Sequence, residues 1–212
     1  MNTKLMYKRI RNVCGFLGMI LPWLALFSAG IAEHPSEKWW YSISATYYQS
    51  PALAAILTSA SIVLMCYDGY TFIDNLVTTI SGVFGLGIVL FPCSVGWLNS
   101  MDKVGFFQIP MYYSSKIHCF CAVVFFVLLA FNSFFLFTKT DTPIIMGSKK
   151  KLRNKVYRLC GVGMLVCMVW QIVTTKVSFF SGWWTMINEI FMLQFFGFSW
   201  LVKGGAIKYF ND

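Results

Sequence analysis

The side chains of this sequence best placed to do chemistry are one glutamate in an apolar run and the chain's two histidines. Glu189 lies just inside the run 184–202, with Asn188 beside it and no basic residue within a helical turn. A carboxylate at mid-depth in a bilayer costs about 2.5 kcal/mol or more, so it must be protonated, hydrogen-bonded or turned toward a polar cavity. His34 follows the first apolar run and His118 opens the fourth. Together with Glu33, Ser42, Ser44 and Ser114 they form a candidate polar cluster, suited to contacts with a lipid or small amphiphile. Two histidines, a carboxylate and a water also make a catalytic zinc site, so His34, His118 and Glu189 are the candidate ligands if a metal binds. Such a zinc would activate water against a lipid ester or amide. The three residues come from separate segments and form no contiguous motif, so no cofactor is expected and a non-enzymatic binder is the first reading. P-loop, dinucleotide fingerprint, nucleophile elbow and HExxH are all missing, which removes the soluble-type enzyme classes they mark.

The elements that must carry these groups are membrane spans. Of 212 residues, 58% are hydrophobic and only 12% are charged, against about 25% charged in soluble domains. A helix needs about 20 mainly apolar residues to cross the hydrocarbon. Six segments qualify or nearly do: 13–32, 51–67, 76–97, 117–137, 156–175 and 184–202. The expected fold is all-α, a polytopic bundle of six transmembrane helices forming one integral membrane domain. The first run has the basic start of a signal peptide, but its length and the Glu33-His34-Pro35 that follows predict a retained span.

Alternating the loops between the two sides divides the 17 basic residues thirteen against four. The richer side holds both chain ends and a basic loop over 138–155, and the positive-inside rule makes it cytoplasmic. Lys149, Lys150, Lys151, Arg153, Lys155 and Arg158 therefore read as a topology determinant that also meets anionic lipid. Nucleic acid is not an expected partner, because the run lacks interleaved aromatics and a folded platform. On the other side, Cys93 and Cys119 stand at the outer ends of spans three and four, where an oxidising compartment would permit a disulfide. Aromatic and hydroxyl residues over 39–48 and 97–116 suit an interfacial belt or a lid over an outward-facing pocket.

The connection over 68–75 is too short to do more than reverse the chain, so spans two and three are neighbours. Ala54, Ala55, Thr58 and Ser59 on one, with Ser81, Gly82, Gly85 and Gly87 on the other, predict a tight hairpin. The same small residues could instead pack between copies, which keeps a homo-oligomeric pore or membrane-disrupting effector as an alternative. Asp68, Tyr70, Asp74 and Asn75 are expected to cap helix ends and offset the basic loop.

Several local patterns resemble a family of uncharacterised bacterial six-span inner-membrane proteins. They are Ser42-Ile43-Ser44-Ala45, Gly69-Tyr70 with Asp74-Asn75, Leu90-Phe91-Pro92, Arg153-Asn154 with Tyr157 and Cys160-Gly161, and Phe198-Ser199-Trp200-Leu201 with Lys203-Gly204. The resemblance covers most of the chain, implies an inner-membrane location and brings no reaction with it. Ser114 and His118, four apart, are weakly similar to the first metal-site element of the CREST superfamily of membrane hydrolases and receptors. The later histidine pair of that superfamily is absent, and six spans stand where it has seven.

Overall fold

A computed structural model describes residues 3–31, 41–69, 71–139, 147–176 and 183–211 of the chain. Among them are six main helices: α1 (Thr3–Ile31), α2 (Ala52–Met65), α3 (Phe72–Leu90), α4 (Met111–Phe131), α5 (Ser148–Lys176) and α6 (Trp183–Gly204). All but α2 are long and apolar enough to cross a membrane, and the chain is a polytopic helical membrane bundle. With 14 residues, α2 falls short of that length, so the six-span expectation meets five long helices and one short apolar one.

Several boundaries differ from the hydropathy reading, for local reasons. Helix α1 starts ten residues before the predicted 13–32, because the basic residues Lys4, Lys8, Arg9 and Arg11 are good helix formers that hydropathy discounts. Helix α3 covers less than the predicted 76–97: it stops at Leu90, and Pro92 cannot continue it. The predicted outer loop 97–116 contains a short antiparallel pair, Lys103–Val104 with Ile109–Pro110, and then gives its last six residues to α4. Gly105, at φ +70°, and Gln108, at φ 51°, turn the chain between those strands. The basic loop predicted over 138–155 is also corrected, since the chain is already helical from Ser148 and the lysine run is the first turn of α5.

Each helix packs beside the next, and α6 packs back on α1, so the six form a ring. Helix α2 runs antiparallel to α1 along most of its length. Ser28 and Ser50 hydroxyls meet at 2.6 Å near one end, and Arg11 Nε donates to the Tyr67 hydroxyl at 3.1 Å near the other. The predicted α2–α3 hairpin forms, although Ser59 and Ala55 face outward and Ser61 is the contact instead. A Cβ added at Gly82 would lie 2.5 Å from the Ser61 carbonyl oxygen, and one at Gly85 would run into its Oγ. These glycines are thus used within the chain. Helix α3 is capped by Thr71, whose Oγ1 accepts from the Asp74 amide while Asp74 Oδ2 accepts from the Thr71 amide. Asp74 also pairs with Lys139 at 3.2 Å, and Asn75 Nδ2 donates to Asp68, which is the capping role expected of these residues. Tyr70 lies outside the described residues.

The ring has two chemically distinct ends. At the basic end, Tyr67, Phe137 and Phe196 pack on the buried Trp200, with ring centroids 5.2 Å apart for Tyr67 and Phe137 against the indole, and Tyr157 packs on Phe137 in turn. At the opposite end the helices part around a cavity.

Candidate functional site

The cavity has a volume of about 520 Å³ and is lined from every helix of the ring. Its deep walls are apolar: Leu21, Leu53, Leu57, Ile88, Phe125 and Leu193 are all buried. Polar groups collect at one end of it, from Tyr41, Ser42 and Ser44, from Ser94 and Ser115, and from His118, Gln171, Thr185 and Glu189. Apolar walls with a few convergent polar groups are the usual form of a small-molecule site.

Glu189 is the most heavily bonded of these. Its Oε2 accepts from Ser42 Oγ at 2.9 Å and from the Ile43 amide at 2.5 Å. Its Oε1 accepts from Ser44 Oγ at 2.8 Å. The three donors belong to consecutive residues just at the start of a short 3-10 turn, Ser44–Tyr48. A carboxylate on α6 therefore stands in for the cap that this turn does not make locally, and ties the turn to a helix nearly 150 residues away in sequence. Among the described residues no Lys, Arg or His pairs with it.

The turn is held at its other side by Tyr48, whose hydroxyl donates to the Cys93 carbonyl oxygen at 2.7 Å. Burial pushes the Tyr41 and Tyr48 phenols and the Cys93 thiol upward, so all three stay protonated near neutrality. Cys93 and Cys119 both line the cavity as free thiols, not as the disulfide that the sequence permits.

His118 and Ser114 have another role. His118 Nδ1 lies 2.9 Å from the Phe91 carbonyl oxygen and 3.1 Å from that of Ile88, while Ser114 Oγ donates to the Pro92 carbonyl at 2.8 Å. Two side chains four apart on α4 thus satisfy carbonyls left over where α3 ends. Two carbonyl acceptors require the proton on Nδ1, which leaves Nε2 of the neutral ring as an acceptor. No family model, no curated protein and no solved structure matches this chain. The site therefore has to be read from its own geometry.

Of the residues singled out in the sequence, Ser42, Ser44, His118 and Glu189 line one cavity, and the first two bond directly to the last. No hydrogen bond joins His118 to Glu189, and Ser114 faces main chain rather than the cavity. Glu33 and His34 lie outside the described residues. Among the described residues no group of three His, Cys, Asp or Glu side chains is placed to hold a metal ion. Sequence reasoning missed Gln171 and Thr185, joined at 2.9 Å, and the partnership of Asn188 with Gln171 at 3.0 Å. A lone glutamine in the apolar run 156–175 was the available signal.

At the basic end, the lysine run divides in two. Lys149 Nζ donates to the Tyr209 carbonyl, Lys150 Nζ to that of Lys139, and Arg153 to that of Phe210, so these three fasten chain segments. Lys151, Lys155 and Arg158 are exposed on one face of α5, continuous with exposed Leu159, Val162 and Val166.

Proposed function

We propose that this chain is a six-span membrane protein that holds a lipid or small amphiphile in the cavity at the end opposite its basic residues. The observation that carries the reading is the cavity itself, which joins apolar depth to polar groups at one end, the division of chemistry an amphiphile has. Crossing by α2 is supported by its course beside α1, since residues 50–67 run between the same two levels as α1 residues 28–11. The charge asymmetry supports a cytoplasmic basic end, and the family resemblance supports a bacterial inner membrane. The pore reading has less support, because Gly82 and Gly85 already pack on α2 of the same chain.

Protein purified in mild detergent is expected to carry about one equivalent of amphiphile, quantified by native mass spectrometry. Ala122, half-buried on the cavity wall, is the place to fill it. Ala122→Phe should reduce the bound fraction at least tenfold while the unfolding midpoint stays within a few degrees of wild type. Met168→Trp does the same from the α5 side. A wild-type protein with an empty cavity, or a stable filled variant that retains its amphiphile, would overturn the reading.

Anionic lipid at the basic end is a second expected contact, worth about 1 kcal/mol per exposed charge. Replacing Lys151, Lys155 and Arg158 with Gln should weaken association with phosphatidylglycerol in nanodiscs and leave stability unchanged. Replacing Lys149 and Arg153 should instead loosen the segment 207–211, seen as faster amide exchange there.

A further inference from the structure

The cavity's mouth faces sideways, into the membrane. Most residues lining its depth are buried, yet Val123 on α4 is 51% exposed, Ile172 on α5 is 62% exposed, Cys119 is exposed too, and Ser94 is exposed at the polar end. A lining residue with half its surface uncovered marks an opening, and Cys119, Val123 and Ile172 place one between α4 and α5. Along Met111–Phe131 that seam is the most sparsely packed of the six in the ring, since much of the contact with α5 falls instead on the helical turn Asn132–Leu136 that continues α4. Toward the basic end the two helices still meet closely, since a Cβ on Gly161 would lie 2.9 Å from the Ala130 carbonyl oxygen. Val123 is twelve residues into α4, roughly 18 Å from its start at the helical rise. Exposed Val127 and Val169 flank the gap with apolar surface, so it opens on lipid tails rather than on water.

The lining also selects a headgroup. Among the described residues it holds no Lys or Arg, and the one carboxylate among them already accepts from three donors. His118 keeps an acceptor nitrogen, because its Nδ1 is bonded to main chain. Anionic heads find no counter-charge among these residues, whereas a head that brings hydrogen-bond donors finds acceptors.

Resting on the amphiphile-binding reading above, we infer that the cavity loads laterally from the bilayer, through the cleft between α4 and α5, and that its ligand is a single-chain lipid with an uncharged, hydroxyl-bearing head. The polar end of such a lipid lies among Ser115, His118, Gln171 and Thr185, and its chain runs inward along Leu57 and Phe125.

The test places full-length protein in phosphatidylcholine nanodiscs and follows loading of monooleoylglycerol by native mass spectrometry over time. Val123→Trp and Ile172→Trp, each on an exposed surface where folding tolerates bulk, should slow loading at least tenfold at unchanged unfolding midpoint. If wild type loads and both variants load at its rate, lateral access is overturned while amphiphile binding stands. If wild type loads monooleoylglycerol no better than lyso-phosphatidylglycerol or oleate, the headgroup assignment is overturned. If wild type takes up no amphiphile of any kind, the underlying reading itself fails.

Discussion

Glu189→Ala is expected to release the turn over 44–48 from α6 and to lower stability by about 3 kcal/mol, because it leaves buried donors without acceptors. The loss is unequal among the three. The Ser42 and Ser44 hydroxyls can rotate toward other acceptors, but the Ile43 amide cannot, and Ile43 is 2% exposed. Glu189→Gln keeps one acceptor oxygen and turns an NH2 group toward a donor, so its effect should fall between alanine and wild type. The midpoint of thermal unfolding in detergent measures the energetic loss. Amide exchange at Ile43 measures the local one, and should accelerate in both variants. A Ser42→Ala, Ser44→Ala double variant combined with Glu189→Ala should destabilise by less than the sum of the separate effects. Additive effects, with Ile43 still protected, would show that the carboxylate does not brace the turn.

That bracing role was only partly legible in the sequence. An ionisable residue inside an apolar run announces that it needs partners, and Glu189 was found on that ground. Its partners were also among the residues named, but nothing in a one-dimensional pattern joins residue 189 to residues 42–44. The connection arises because α6 closes the ring against α1, which places the segment following α1 over the end of α6. His118 shows the opposite case. Its position at the start of an apolar run suggested ligand chemistry, whereas its Nδ1 is spent on carbonyls that α3 leaves open. Those carbonyls exist because the helix stops at Leu90, seven residues before hydropathy ends the span. Hydropathy registers how apolar a segment is, not where its hydrogen bonds stop. For the same reason it missed the basic first turns of α1 and α5, which are helical although they are polar. The inferred opening between α4 and α5 was not legible at all, since it depends on which side chains are left uncovered once the helices pack.

The largest single-residue effect is expected at the seam that closes the ring. A Cβ on Gly197 of α6 would lie 2.7 Å from both the Gly15 carbonyl oxygen and the Met19 amide nitrogen of α1. Reciprocally, one on Gly15 would lie 2.7 Å from the Leu201 amide nitrogen and 2.8 Å from the Gly197 carbonyl oxygen. These obstacles are main chain and cannot rotate away, so Gly197→Ala must push two helices apart along their shared face. Overpacking costs about 1–3 kcal/mol where side chains can adjust, and this contact belongs at or beyond the upper end. Gly163→Ala provides the comparison, because its Cβ would meet the Phe195 ring, 2.6 Å away, which can swing aside. At Gly96 a Cβ meets nothing within 4 Å, and Gly96→Ala should be neutral or slightly stabilising. The unfolding midpoints should therefore rank Gly96→Ala at or above wild type, then Gly163→Ala, then Gly197→Ala. An unchanged midpoint for Gly197→Ala would mean that α1 and α6 are not in backbone contact. The same variant separates the two seams of the ring. Forcing α1 from α6 is expected to lower stability and amphiphile retention together, whereas tryptophan at the proposed α4–α5 mouth is expected to lower the loading rate alone, because one seam holds the bundle closed and the other is the inferred way in.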